Sequence, residues 1–205
     1  MITVVGNLKG GTGKSTVVFN LALWLLDRGN KIEVCDLDPQ ATLSDVAELR
    51  LEEGFAPFLP VSDCLPERDS GEMLVDIGVA NMAGLCDALA RADQIIIPVS
   101  PSQADVWSTQ RFLEIVHATS TRSPKLYTFI NRADTHPTAR ENAETEAALR
   151  QLGGLEVLSV RLAQRIVFRH SFSEGLAVFE LEPSGKASQE LTALAEAVYG
   201  VTHGR

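Results

Sequence analysis

Short apolar runs recur at residues 2–5, 32–36, 58–61, 73–77, 94–99, 126–130 and 156–160, and stretches of helical periodicity separate them. Such runs read as strands, and their alternation with helices predicts an α/β fold built on a doubly wound, mostly parallel sheet. Ile2-Thr3-Val4-Val5 and Ile95-Ile96-Ile97 are rich in branched side chains with little polar alternation, as expected of strands covered by helices on both faces. In the helix after the first strand, Val17, Leu21 and Leu25 share one stripe that belongs in a core, and Gly29 or Asn30 suits a left-handed cap at its end. Further helices are expected over 104–118 and 186–199, the latter with Leu191, Leu194, Ala195 and Val198 on a packed stripe. Trp24 and Trp107 read as packing or interface residues, and Pro57 to Gly71 as a polar, turn-rich connector. With 205 residues, 45% of them hydrophobic, and no internal repeat, a single domain over 1–205 is the economical reading.

Between the first strand and the first helix lies Lys9-Gly10-Gly11-Thr12-Gly13-Lys14-Ser15-Thr16. The general phosphate-loop pattern G-x-x-x-x-G-K-[ST] begins with glycine, and this chain has Leu8 there, so the core of the motif is present in a deviant form. Gly10, Gly11 and Gly13 let successive N–H groups turn inward as a nest for phosphate oxygens. Lys14 supplies a point charge to the outer phosphates, Ser15 a hydroxyl to Mg²⁺, and Thr16 stands in the first helical turn, whose positive dipole end faces the phosphates. A nucleoside triphosphate is the expected ligand.

Lys9 ahead of the glycines has no use in the simplest phosphate loop. With it, the segment resembles the deviant Walker A motif of the ParA/MinD superfamily of dimerising ATPases, in which this first lysine crosses to the partner subunit's nucleotide. Asp36-Leu37-Asp38-Pro39-Gln40 resembles the family's second acidic motif; the resemblance implies that Asp38 orients the attacking water and that Asp36 holds the Mg²⁺ shell through Ser15 or a water. Strand alternation is expected to place Asp36 and Asp38 on the same side. Met73-Leu74-Val75-Asp76-Ile77-Gly78 reads as the Walker B strand, with Asp76 on Mg²⁺ through water, although the family more often continues with a small residue and prolines. Asn131, at a strand end, is expected to read the adenine edge, with Arg132 beside it; a guanine-specific protein would carry Asn-Lys-x-Asp, so ATP is preferred over GTP. Pro98, the helix over 104–118, and Arg165, Gly175 and Val178 extend the resemblance over nearly the whole chain.

The resemblance implies an Mg-dependent ATPase, slow without a partner, cycling between ATP and ADP, whose ATP-sandwich homodimer binds non-specific DNA and is released by a ParB-like adaptor or cargo protein. Plasmid or chromosome DNA is the default cargo, and a carboxysome or chemosensory cluster the alternative. Charge bears on this, because the net is -9 and phosphate contacts need a local basic patch; Arg161, Arg165, Arg169, His170 and Lys186 are the candidates. A MinD-like membrane helix is not expected, since Gly200-Val201-Thr202-His203-Gly204-Arg205 is not a basic amphipathic tail. Residue 1 stands almost on the first strand, so the helix-turn-helix of longer partition ATPases is not expected here. Three cysteines, no signal peptide and no apolar span point to the cytoplasm, with nucleoid association in the ATP state. A metabolic amidoligase of the same superfamily is the rival from another class.

Overall fold

The computed structural model describes residues 1–66, 71–136 and 139–200. Residues 67–70 of the expected connector and the tail over 201–205 lie outside that set. Seven strands form one parallel sheet: β1 (Ile2–Val5), β2 (Ile32–Asp36), β3 (Val61–Ser62), β4 (Glu72–Asp76), β5 (Gln94–Val99), β6 (Lys125–Ala133) and β7 (Glu156–Ala163), in the order β3-β2-β4-β1-β5-β6-β7. Helices α1 (Lys14–Asp27), α2 (Thr42–Glu52), α3 (Met82–Arg91), α4 (Gln103–Thr119), α5 (Arg140–Leu149), α6 (Ile166–Ser173), α7 (Val178–Leu181) and α8 (Lys186–Tyr199) cover it.

Two apolar layers follow from this winding. Val17, Leu21 and Leu25 of α1 are buried as their stripe predicts, packed with Leu191 and Leu194 of α8. On the other layer Leu85 and Leu89 of α3 meet Val106 and Phe112 of α4. At the end of α1, Gly29 has φ +78° and the Asn30 N–H returns to the Leu25 carbonyl at 3.1 Å, a left-handed stop. Trp24 is buried with the Arg28 guanidinium 3.6 Å over its ring, whereas Trp107 is exposed. Among the described residues no helix is long and apolar enough to cross a membrane.

The third strand departs from the apolar run at 58–61. Pro57 and Pro60 carry no N–H to give a ladder, so pairing with β2 begins only at Val61 and ends at Ser62, leaving Phe58 exposed. The last two strands run further than expected, to Ala133 and Ala163, because each pairs with the other beyond the apolar run.

Register decides what the sheet presents. Val5 pairs with Asp76, and Asp36 pairs with Asp76, so the loop after β1 and both acidic strand ends emerge side by side. The chain winds outward in opposite directions on the two sides of β1, which makes that edge the place where ligands of open α/β sheets bind.

Candidate nucleotide and magnesium site

The loop between β1 and α1 is built for close backbone approach. Gly11 and Gly13 have φ +74° and +86°, the alternation that turns amides toward a common centre. A Cβ on Gly13 would stand 2.5 Å from the Asn131 amide nitrogen, so both the backbone angle and the space demand glycine there. No side chain caps α1, whose first N–H groups are left for an anion. Lys14 is buried at this terminus, and the buried Thr12 hydroxyl has no hydrogen-bond partner.

Asn7 braces the loop from behind. Its amide donates to the Pro98 carbonyl at 3.1 Å, and its carbonyl oxygen accepts from the Lys9 N–H at 3.3 Å and the Ser108 hydroxyl at 3.1 Å. The Lys9 ammonium is turned onto the Asp105 carboxylate at the start of α4 in the same chain, where Ser102 also donates to Asp105.

Asp76 ends β4 with both carboxylate oxygens buried and without a hydrogen-bond partner. Burial raises its pKa to about 7, and the neighbouring Ser15 hydroxyl and Lys14 ammonium oppose that rise. A buried carboxylate with no partner, close to a serine hydroxyl and a lysine, fits a hard cation carrying phosphate oxygens. Asp36 is placed differently: its Oδ2 accepts from the backbone N–H and hydroxyl of Ser44 at 2.9 and 3.0 Å, and its Oδ1 from the Asp38 N–H at 3.2 Å. Protein donors thus engage both oxygens, and Asp36 ties β2 to the first turn of α2. β2 ends at Asp36, so the strand alternation expected to carry Asp38 beside it does not extend to that residue, although the Leu37 N–H still bonds the Asp76 carbonyl at 2.9 Å.

Asp38 lies in the loop that follows and packs on Gly78; a Cβ at residue 78 would come within 2.3 Å of its Oδ2. The departure Ile77-Gly78 after the Walker B aspartate therefore supplies the space that the neighbouring loop occupies.

Asn131 reaches the site from the end of β6, donating to the Thr12 carbonyl at 2.6 Å, and Arg132 follows with φ +55°. They border a cavity of about 470 Å³ beside α1 whose walls include Thr16, Asn20, Phe168 and Leu191, room enough for a base and sugar. Arg165 and Arg169 also line it. Arg165 is bidentate to Glu190, Nη2 donating to Oε1 at 2.6 Å and Nε to Oε2 at 3.2 Å, and Arg161 pairs with Glu146 at 2.6 Å, a carboxylate that Arg150 shares at 2.7 Å. Arg169, His170 and Lys186 are exposed. The five basic candidates are thus split between two ion-paired arginines, two exposed cations, Arg169 and Lys186, and the exposed His170.

The motif reading gave no role to Asn7, Asp105 and Asn81 and noted Gly78 only as a departure from the family pattern; all four act by holding loops. Their only sequence signal is a polar or small residue beside a strand end, which many turns share.

A parallel sheet that opens at its switch point onto such a loop is the architecture of a P-loop nucleotide-binding protein. The chain belongs to the family described as the CobQ/CobB/MinD/ParA nucleotide binding domain, which it matches over residues 3–178. It is 30% identical over 196 residues to the maintenance of carboxysome distribution protein A of Halothiobacillus neapolitanus, covering 91% of this chain and 90% of that protein. The ATP complex of a Cyanothece McdA variant superposes with a TM-score of 0.75 at 18% identity, covering 96% of this chain and 95% of the other. The septum site-determining protein MinD of Pyrococcus horikoshii, complexed with Mg-ADP, gives 0.73 at 20% identity, with 97% and 95% covered.

Proposed function

We propose that this chain is an ATP-driven positioning ATPase, a switch whose ATP state is a sandwich homodimer on non-specific DNA and whose ADP state lets go. The observation that carries the reading is the convergence at one sheet edge of the glycine-cradled loop with Lys14, the unpartnered Asp76, and Asp38 held against Gly78. The loop amides and Lys14 bind and neutralise the phosphates; Ser15 and Asp76 are the side chains that would hold Mg²⁺, with Asp36 securing the neighbouring loop. When bound, that cation draws charge from the β- and γ-phosphate oxygens. Asp38 orients a water whose oxygen bonds to the γ-phosphorus as the bond to the β,γ-bridging oxygen breaks, giving ADP and phosphate. Asn131 and Arg132 close the base side of the cavity, and Lys9 serves the partner's nucleotide.

Likeness over most of its length to a carboxysome distribution protein favours a protein assembly as cargo, recruited by an adaptor that stimulates hydrolysis in the way a ParB-like protein would. Segregation of plasmid or chromosome DNA uses the same cycle with a different adaptor. The test is binding of purified protein to random-sequence duplex DNA with Mg-ATP, Mg-ADP or neither, at low and moderate salt, with Asp38→Ala to hold the ATP state. ATP-dependent, salt-sensitive binding is expected. A dimer that forms with ATP yet ignores DNA would remove the DNA track from the proposal.

A further inference from the structure

Asn81 stands outside the motifs and joins two loops that the chemistry must move together. Its backbone follows the Walker B loop, and its side-chain oxygen caps α3 by accepting from the Gly84 N–H at 2.9 Å. The other arm of the same amide is spent elsewhere: Nδ2 donates to the Leu37 carbonyl, 3.2 Å away and 44 residues back. Leu37 immediately precedes Asp38, and its N–H is already bound to the Asp76 carbonyl at 2.9 Å. Leu37 is therefore clasped at its N–H by the Walker B strand and at its carbonyl by Asn81. A third contact follows at the next residue, where Gly78 leaves the space that the Asp38 carboxylate fills.

Helix capping alone does not explain this arrangement. A serine or aspartate caps as well as asparagine, but neither caps with one atom and donates with another. Asn81 does both, and what it gains by donating is a fixed peptide group next to the residue assigned to the attacking water. Peptide groups this close to a reactive side chain set its position, and misplacement on the scale of an ångström is costly to a reaction that depends on orientation.

We propose that Asn81 is a positioning residue for ATP hydrolysis: through the Leu37 carbonyl it locks the Asp38 loop to the loop that follows the metal aspartate, so that Asp38 and Asp76 are set as one unit. This rests on the hydrolytic reading above. Displacement of the loop after Asp76 would then be transmitted to Asp38 through one side-chain amide.

The chemistry of asparagine supplies the test. Asn81→Ser keeps a capping oxygen without a second arm, and Asn81→Asp keeps a capping carboxylate that cannot donate. Both are expected to retain the thermal midpoint and the affinity for ATP while the single-turnover hydrolysis rate falls about tenfold, a split that points to transition-state positioning and not to binding or folding. Amide hydrogen exchange of residues 37–41 in the nucleotide-free protein is expected to rise in both variants, with α3 still protected. Hydrolysis at the wild-type rate in Asn81→Ser would overturn the proposal, as would unchanged exchange at residues 37–41. Parallel loss of the thermal midpoint, α3 protection and activity would show capping to be the whole role and overturn it too. Wild-type protein that turns over no ATP would instead overturn the hydrolytic reading and with it the catalytic half of the proposal. The exchange data would still decide whether Asn81 holds the loop.

Discussion

Lys9 is ion-paired within its own chain to Asp105, a residue 96 positions later whose side chain is 2% exposed while that of Lys9 is 43% exposed. In the proposed dimer Lys9 must first leave this partner, so the pair is expected to oppose assembly until ATP offers a better one. Lys9→Ala should abolish ATP-dependent dimerisation and, by leaving a buried carboxylate without its cation, cost roughly 1–2 kcal/mol of stability. Asp105→Asn should lower the ATP concentration needed for half-maximal dimerisation by about threefold or more, because less is lost in freeing Lys9. Combining the two should recover most of the stability without restoring the dimer. Sedimentation against ATP concentration and thermal melts would measure both; a double variant as unstable as Lys9→Ala would show that the pair does not carry the cost.

Gly78→Ala tests the packing under Asp38. The new methyl would enter the space of a carboxylate oxygen, which can swing aside, so the melting temperature should change little while the orientation of Asp38 is lost. Hydrolysis should fall about tenfold with ATP affinity held, the pattern of an interaction made in the transition state. Weakened ATP binding with an unchanged turnover rate would place the effect on the phosphates instead.

How much of this was legible in the sequence depends on how local each contact is. Gly11, Gly13, Lys14 and Ser15 stand within one loop, and Asp76 ends an apolar strand, so order along a few residues was enough to point to where they lie. Asp105 meets Lys9 across 96 residues, Asn81 meets Leu37 across 44, and Arg50 reaches the Gly175 carbonyl across 125, and no local pattern marks such pairs. The helix after the phosphate loop and those over 104–118 and 186–199 were read from their apolar stripes because burial imposes periodicity. The third strand was read at 58–61 and lies at Val61–Ser62, since prolines interrupt the apolar run and the strand is short. Basic residues were the weakest guide: positive charge in sequence says nothing of the Glu146 or Glu190 that folding sets against it.

Those two carboxylates separate structural arginines from candidate DNA contacts. Arg165→Ala should cost about 1 kcal/mol, because a bidentate pair with Glu190 is lost, and Arg161→Ala less than about 0.5 kcal/mol because its pair is exposed. Arg169→Ala and Lys186→Ala should leave stability alone, yet each should weaken ATP-dependent binding to random duplex DNA and reduce the slope against log salt by about one if its cation meets a phosphate. Fluorescence anisotropy over a salt series measures this. A slope unchanged in both would take the DNA contact away from this face.

Asp76 is where the nucleotide-free protein gives up stability for its site. Burial raises this carboxyl from 3.8 to about 7, so between those values the folded chain holds a proton that the unfolded chain has released. Stability of the nucleotide-free protein should therefore fall as pH rises from about 4 to about 7 on account of this group, and stay low above that. Asp76→Asn removes the titration while keeping the shape. At pH 8 without nucleotide it should be more stable than the natural chain by about 4 kcal/mol, and near pH 4, where the natural residue is protonated in the fold, the difference should shrink toward zero. Adding Mg-ATP should reverse the ranking, because the cation repays the natural carboxylate for its burial and finds no charge in the variant. Melts at the two pH values, with and without Mg-ATP, would check all of this at once. A variant less stable than the natural chain at pH 8 without nucleotide would mean that Asp76 is held by the fold and not kept in reserve for a metal.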